Sequence, residues 1–155
     1  MTINSPRFLR PDSGERLAAG PVTHRVLEDG THTEERLGVL EGLLPPGWAG
    51  PPAHVHREHE ETFYVLGGAV RFFSGSTETV LSAGGYFVAP IGVPHGFGNA
   101  SDLEPARYLL TVSPQRYVGY FRELESLEPG PDGLLDPQDI LALMARYATD
   151  PVRPN

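Results

Sequence analysis

His54-Val55-His56-Arg57-Glu58-His59-Glu60-Glu61 is the stretch on which the reading of this chain depends. Two histidines separated by one residue on an extended segment send both imidazoles to the same face, because strand side chains repeat every two residues. A metal ion can sit between them. A carboxylate at Glu61 and a further histidine at His95 complete a three-histidine, one-carboxylate set, a donor mix that suits divalent first-row ions.

The second stretch, Gly84 to Asn99, reads GGYFVAPIGVPHGFGN and places Gly84, Pro90, Gly92, His95 and Asn99 in the pattern G-x-x-x-x-x-P-x-G-x-x-H-x-x-x-N. At the chain's own content of these residue types, a chance match anywhere along it is on the order of one in ten thousand. The first stretch has the pattern H-x-H-x-x-x-x-E-x-x-x-x-x-x-G on His54, His56, Glu61 and Gly68. Together the two resemble the paired motifs of the cupin superfamily, in the right order and with the short gap between motifs of its small bacterial members. The phrase E-x-F-Y-V-L-x-G from Glu61 to Gly68 is similar to the version found in quercetinase-like cupins.

The resemblance implies an all-β fold, a cupin double-stranded β-helix or jelly-roll barrel, here with two C-terminal α-helices. It also implies one divalent transition metal ion per chain (Fe, Mn, Ni, Co, Cu or Zn) on His54, His56, Glu61 and His95. In quercetinase-like members the metal receives the deprotonated hydroxyl of an enol or flavonol, the ligand glutamate assists as base, and dioxygen cleaves the ring. Glu61 would take that role here. Two departures stand out. The family's first motif opens with Gly six residues before the first histidine, where this chain has Trp48, with Gly47 one residue earlier. Glu60 also fits a register, with three residues instead of four after His56 and Gly67 in place of Gly68; the quercetinase-like phrase favours Glu61 and turns Glu60 the other way.

Length and composition bound the remaining possibilities. A chain of 155 residues is close to the usual size of one domain with one core. Its formal charge of −8, with no basic cluster, makes nucleic acid and anionic membrane surfaces poor partners. The absence of cysteine excludes disulfides and thiolate metal sites. No apolar run has the length of a signal peptide or a membrane helix, so the default location is cytoplasmic.

In chain order, residues 1–14 read as an extended arm that covers an edge or reaches a neighbouring subunit, 15–112 as the barrel and 113–148 as helices. Leu17 to Leu27 reads as one or two strands broken at Pro21, closing at the turn Glu28-Asp29-Gly30-Thr31, since Asp-Gly is a strong hairpin signal. Arg36 to Leu44 follows as a strand, and Trp48 to Pro52 as the loop that delivers the histidine pair. After Glu61 the pattern is hairpin upon hairpin: Phe63–Leu66, Ala69–Phe73, Thr77–Leu81 and Tyr86–Ala89, with glycine turns between. His95 to Asn99 and Ala106 to Val112 supply the last strands. Ser113-Pro114 reads as an N-cap opening a helix with the stripe Tyr117, Tyr120, Phe121, Leu124 and Leu127. Asp136-Pro137 opens a second with Ile140, Leu143, Met144 and Tyr147. These stripes are expected to cover the barrel exterior or a dimer seam. The tail from Asp150 is expected to be loose.

The other histidines carry simpler expectations. His59, out of phase with His54 and His56, is read as facing solvent, and His24 and His32 as surface residues. Asn99 is expected to tie a turn through its amide. Parity places Phe63 and Val65 on the side of Glu61, and Phe97 and Asn99 on that of His95. With Phe87 these form the expected substrate pocket, an apolar lining that suits an aromatic small molecule.

The leading functional reading is therefore a metal-dependent dioxygenase of a small enol-type or flavonol-like substrate, with dioxygen as co-substrate. The alternatives are a non-redox cyclase, isomerase or lyase on the same metal, and a small-molecule-binding cupin without turnover. Because small cupins often pair by their sheet edges, a homodimer is expected.

Overall fold

A computed structural model describes residues 6–152. In chain order these residues form β1 (Arg16–Ala19), β2 (Val22–Asp29), β3 (Gly38–Leu44), β4 (His54–His56), β5 (Glu60–Gly67) and β6 (Ala69–Ser74). There follow β7 (Thr77–Ser82), β8 (Tyr86–Ala89), β9 (Gly96–Asn99), β10 (Ala106–Ser113), α1 (Val118–Glu125), α2 (Pro137–Arg146) and β11 (Thr149–Pro151). The fold is an antiparallel jelly-roll barrel with two short C-terminal helices. One wall is a six-stranded sheet in the order β1-β2-β3-β10-β5-β8. The other is built from β7-β6-β9 and the pair β11-β4. A two-way backbone pairing of His54 with His95, both N–H to O distances 2.9 Å, joins these last two pieces.

Alternation in the central strands explains the barrel. In β5, Glu61, Phe63 and Val65 are buried while Glu60, Tyr64 and Leu66 are exposed, the period of a strand with one face inward. β10 buries Ala106, Tyr108, Leu110 and Val112 in the same way. Leu40, Phe63, Val65, Val70, Phe72 and Tyr108 belong to one continuous core.

Several expectations are corrected by the pairing. The turn at Gly67-Gly68 does not close a hairpin: β5 pairs with β10 and β8, and β6 with β7 and β9, so the turn carries the chain from one sheet to the other. Gly68 has φ +67°, and a Cβ there would lie 2.4 Å from the Pro105 carbonyl oxygen, which is why glycine is needed at the crossing. Ser113 ends β10 instead of capping a helix. Its hydroxyl donates to the Arg36 carbonyl (3.1 Å), and a 3-10 turn at Gln115–Tyr117 leads into α1. Asp136 does cap α2, accepting from the Gln138 N–H at 2.8 Å.

The helices lie over the barrel mouth. Tyr117, Tyr120, Phe121, Leu124, Ile140 and Met144 face a cavity whose other wall is the barrel interior, so their apolar stripes roof the barrel where the sequence suggested its exterior or a dimer seam. The tail is not loose through Pro151. Thr149–Pro151 is a strand paired with His54–His56, and Val152 N–H donates to the Ala53 carbonyl (2.8 Å). The expected looseness of residues 153–155, like the first five residues of the arm, lies outside the described residues. No helix among the described residues is long and apolar enough to cross a membrane.

Candidate metal centre

One strand from each wall of the barrel and the residue before a third strand bring the four predicted groups together. β4 supplies His54 and His56, β5 supplies Glu61, and His95 precedes β9. The backbone pairing of His54 with His95 fixes their relative height. All four side chains are buried, and their ligand atoms lie within 4.8 Å of one another. Glu61 Oε2 is 3.3 Å from His56 Nε2 and 3.4 Å from His95 Nε2. Glu60, on the opposite parity, is exposed.

Hydrogen bonds on the outer side of each ring aim the inner nitrogens. His54 Nδ1–H donates to the Pro52 carbonyl and His95 Nδ1–H to the Val93 carbonyl, each at 3.0 Å. His56 Nδ1 is 2.8 Å from Thr149 Oγ1, and that hydroxyl donates to the Tyr147 carbonyl at 3.1 Å. Having spent its one hydrogen, Thr149 accepts from His56 Nδ1–H. Each imidazole is thus turned with Nε2 on its inner side, and those of His56 and His95 face Glu61. His56 Nε2 is buried and makes no hydrogen bond, as expected of a nitrogen with a ligand role. The donor set and the orphaned nitrogen both fit a divalent first-row ion.

Electrostatics agree with that role. Burial pushes the His54 imidazole down to about 4, against the pull of Glu61, so it is neutral near pH 7. Burial would push the Glu61 carboxyl up. The attraction of His56, with the contacts of His59 and His95, outweighs burial and holds Glu61 well below the usual carboxylate range. Burial lowers His59 too. At His95, burial opposes but does not overcome the bond to Glu61, and the ring is raised. Metal ligands of this kind must be neutral imidazole and ionised carboxylate, and metal uptake then displaces any proton held between Glu61 and His95.

His59 does not face solvent. Its ring is 4 % exposed, stacks on Tyr117 with centroids 4.2 Å apart, and places Nε2 3.8 Å from Glu61 Oε1. The alternation that put it outside ends with β4 at His56; the turn at Arg57-Glu58 resets the direction. His24 is likewise buried, not on the surface: it shares the inward row of β2 with Val22 and Val26. His32 is on the surface, paired with Glu28 at 3.2 Å. Asn99 ties the loops as expected, donating to the Pro45 and Glu104 carbonyls at 3.0 and 2.8 Å.

The cluster opens on a cavity of about 440 Å³, with His54 and Glu61 in its wall. Phe63 and Phe97 line it, whereas Val65, Phe87 and Asn99 do not. Parity correctly turns Val65 inward, but it cannot give depth: two more inward positions along β5 carry it roughly 13 Å past Glu61, into the packed core. Phe87 is stacked on Phe72, centroids 4.6 Å apart, and the Asn99 amide is occupied by the loops. Thr149 and Tyr117 were missed, because their places beside His56 and His59 depend on contacts made across the fold.

Replacing Thr149 with Val keeps the shape of the side chain and removes the acceptor. Metal affinity is expected to fall roughly 10- to 100-fold, the usual cost of losing such a partner, with the fold intact. Competition against a chromophoric chelator measures this, and an unchanged affinity would show the Thr149 bond to be idle.

Comparison with known proteins agrees with this geometry. The family model described as cupin domain matches residues 40–112. Quercetin 2,3-dioxygenase of Bacillus subtilis is 26% identical over 119 residues, 77% of this chain and 34% of that protein. The chain thus spans about a third of that relative's length. Among solved structures, KdgF from Halomonas shares the fold at a TM-score of 0.62, with 22% identity over 73% of this chain and 99% of its own. The polyketide cyclase RemF from Streptomyces resistomycificus does so at 0.60, with 24% identity over 72% and 80%. With both motifs on one barrel and residues 40–112 matched as a cupin domain, the chain resembles small cupins, the quercetinase-like members among them.

Proposed function

We propose that this protein is a metal-dependent dioxygenase acting on a small enol-type or aromatic, flavonol-like compound, with one divalent transition ion held by His54, His56, Glu61 and His95. The observation that carries the reading is the placement of Glu61 and His54, members of the ligand cluster, in the wall of an otherwise largely apolar cavity. A bound ion supplies Lewis acidity toward an enol or phenol hydroxyl and, where redox-active, one-electron chemistry with dioxygen.

The chain's own groups supply the rest. Glu61 is buried and ionised, beside the position a substrate hydroxyl would occupy, so it can accept that proton. Phe63, Phe97 and Tyr117 keep water from the reacting end, which strengthens the pull of the fixed charges. The similarity to a quercetin 2,3-dioxygenase supports flavonols as the first substrates to try.

The test is oxygen uptake on a flavonol by protein reconstituted with Fe, Mn, Co, Ni, Cu or Zn singly. Uptake that requires a redox-capable ion is the expected result. Turnover that is unchanged under nitrogen would replace this reading with a cyclase or isomerase, and saturable binding without product would replace it with a binding protein.

A further inference from the structure

One buried histidine beside the cluster has no part in the metal chemistry described so far. His59 follows the turn Arg57-Glu58, which the fold pins from outside. The Arg57 N–H donates to the Ala148 carbonyl (2.8 Å), and the Arg116 guanidinium bridges the Glu58 carboxylate (3.0 Å) and the Arg146 carbonyl (2.9 Å). The His59 ring is then wedged between two others, its centroid 4.0 Å from that of His56 and 4.2 Å from that of Tyr117. Tyr117 is itself backed by Tyr120, stacked at 4.6 Å. A ring held on both faces in this way cannot swing aside.

The two oxygens of Glu61 have different neighbours. Oε2 lies 3.3 Å from His56 Nε2 and 3.4 Å from His95 Nε2, on the side of the ligand cluster. Oε1 lies 3.8 Å from His59 Nε2. That nitrogen is buried with no hydrogen-bond partner among the described residues, and His59 is not one of the four residues whose ligand atoms converge. It is placed against a ligand but outside the ligand set. A bare lone pair at this buried nitrogen would face a carboxylate oxygen, acceptor against acceptor, whereas an N–H is attracted by the charge. Nε2 therefore carries the hydrogen. The gap to Oε1 exceeds a hydrogen bond by roughly 0.6–1.1 Å, within reach of a small turn of the carboxylate.

We propose that His59 is a positioning residue: with an ion in the cluster, its Nε2–H donates to Glu61 Oε1 and leaves Oε2 as the oxygen offered to the metal. The proposal rests on the assignment of Glu61 as a ligand, and it names what fixes that carboxylate. Ligating carboxylates are held by outer partners of this kind, and losing one costs metal affinity. A carboxylate engaged through Oε1 also cannot clasp the ion with both oxygens, which keeps a coordination position open for substrate.

Two variants separate the N–H from the ring. His59→Phe keeps a ring between His56 and Tyr117 and removes the donor; His59→Gln removes the ring and keeps an N–H near the place of Nε2. The zinc affinity of each full-length protein is measured by competition against a chromophoric chelator. It is expected to fall roughly 10- to 100-fold in His59→Phe and to stay within about threefold of the original in His59→Gln. A stacking role predicts the opposite ranking. At saturating cobalt the visible absorption bands are expected to weaken in His59→Phe, as the freed carboxylate raises the coordination number, and to keep their strength in His59→Gln. Long-range proton–nitrogen NMR of the zinc-loaded original protein is expected to find the His59 hydrogen on Nε2.

Equal zinc affinity in His59→Phe and the original, a folded His59→Gln as weak as His59→Phe, cobalt bands unchanged in His59→Phe, or a hydrogen on Nδ1 of His59 each overturns the proposal. The NMR measurement needs no variant, so it decides even if the substituted chains do not fold. An original protein that binds no zinc would overturn the ligand assignment and this proposal with it. None of these readouts involves turnover, so failure of the dioxygenase reading is seen separately, as absent oxygen uptake.

Discussion

Replacing His56 with Ala is expected to reduce the bound metal from about one ion per chain to below a tenth of that, with affinity down at least a thousandfold and oxygen uptake lost with it. The size of the effect follows from geometry. His56 Nε2 is buried with no hydrogen bond, so a metal is the partner its surroundings provide for. An alanine also strands Glu61, which would keep a buried charge with fewer partners. His95→Ala is expected to do the same, and it tests the assignment from the other strand. The four ligands are not part of the apolar core, so both variants should still unfold cooperatively. Elemental analysis after reconstitution and dialysis, beside a thermal melt, gives the answer. A folded variant that keeps its full metal would end the ligand assignment.

Replacing Gly50 with Ala is expected to destabilise the protein by about 3 kcal/mol, lowering the melting temperature by roughly 6–12 °C. Gly50 has φ +95°, where a side chain is strained, and its Cβ would fall 1.7 Å from the Phe97 carbonyl oxygen. The loop before the histidine pair is pressed backbone to backbone against β9: Gly98 faces the Ala49 carbonyl, and Asn99 N–H donates to the Trp48 carbonyl at 2.8 Å. There is no side chain that could turn aside. Because Pro51 and Pro52 lead directly into His54, displacing the loop should also weaken metal binding. Gly20→Ala is the control, since Gly20 has φ +60° but open space around it, and about 1 kcal/mol is expected there. Equal melting shifts for the two variants would show that the contact at Phe97 is not tight.

That contact bears on the sequence pattern. Trp48 stands where the cupin pattern has glycine, and in this chain Gly47 (φ +71°) and Gly50 (φ +95°) provide the turning instead. The departure moves the glycines and leaves the ligands in place.

What the sequence made legible has a local cause. His54 and His56 are two apart on a strand, and Glu61 begins an alternation that continues through Phe63, so parity alone aims them. The unread parts depend on distant partners. Gly67-Gly68 looks like a hairpin turn, because local chemistry does not reveal that β5 is matched to β10, some forty residues on. His59 was misplaced because the strand ends three residues before it. His24 was misplaced because a single polar residue in an apolar row reads as outward, when Gly42 and Tyr108 had been arranged to receive it inside. Thr149 lies 93 residues from His56, beyond any window of periodicity.

That separation sets the order of events during synthesis. The strand carrying His54 and His56 is made early, but the segment that hydrogen-bonds along it and fixes the His56 ring comes almost a hundred residues later. At roughly 5–20 residues per second, several seconds pass between the two. A nascent chain therefore offers imidazoles whose orientation is not yet set, and the finished site exists only once Thr149 has left the ribosome. Metal uptake by the ordered cluster is therefore expected to wait for the segment that carries Thr149.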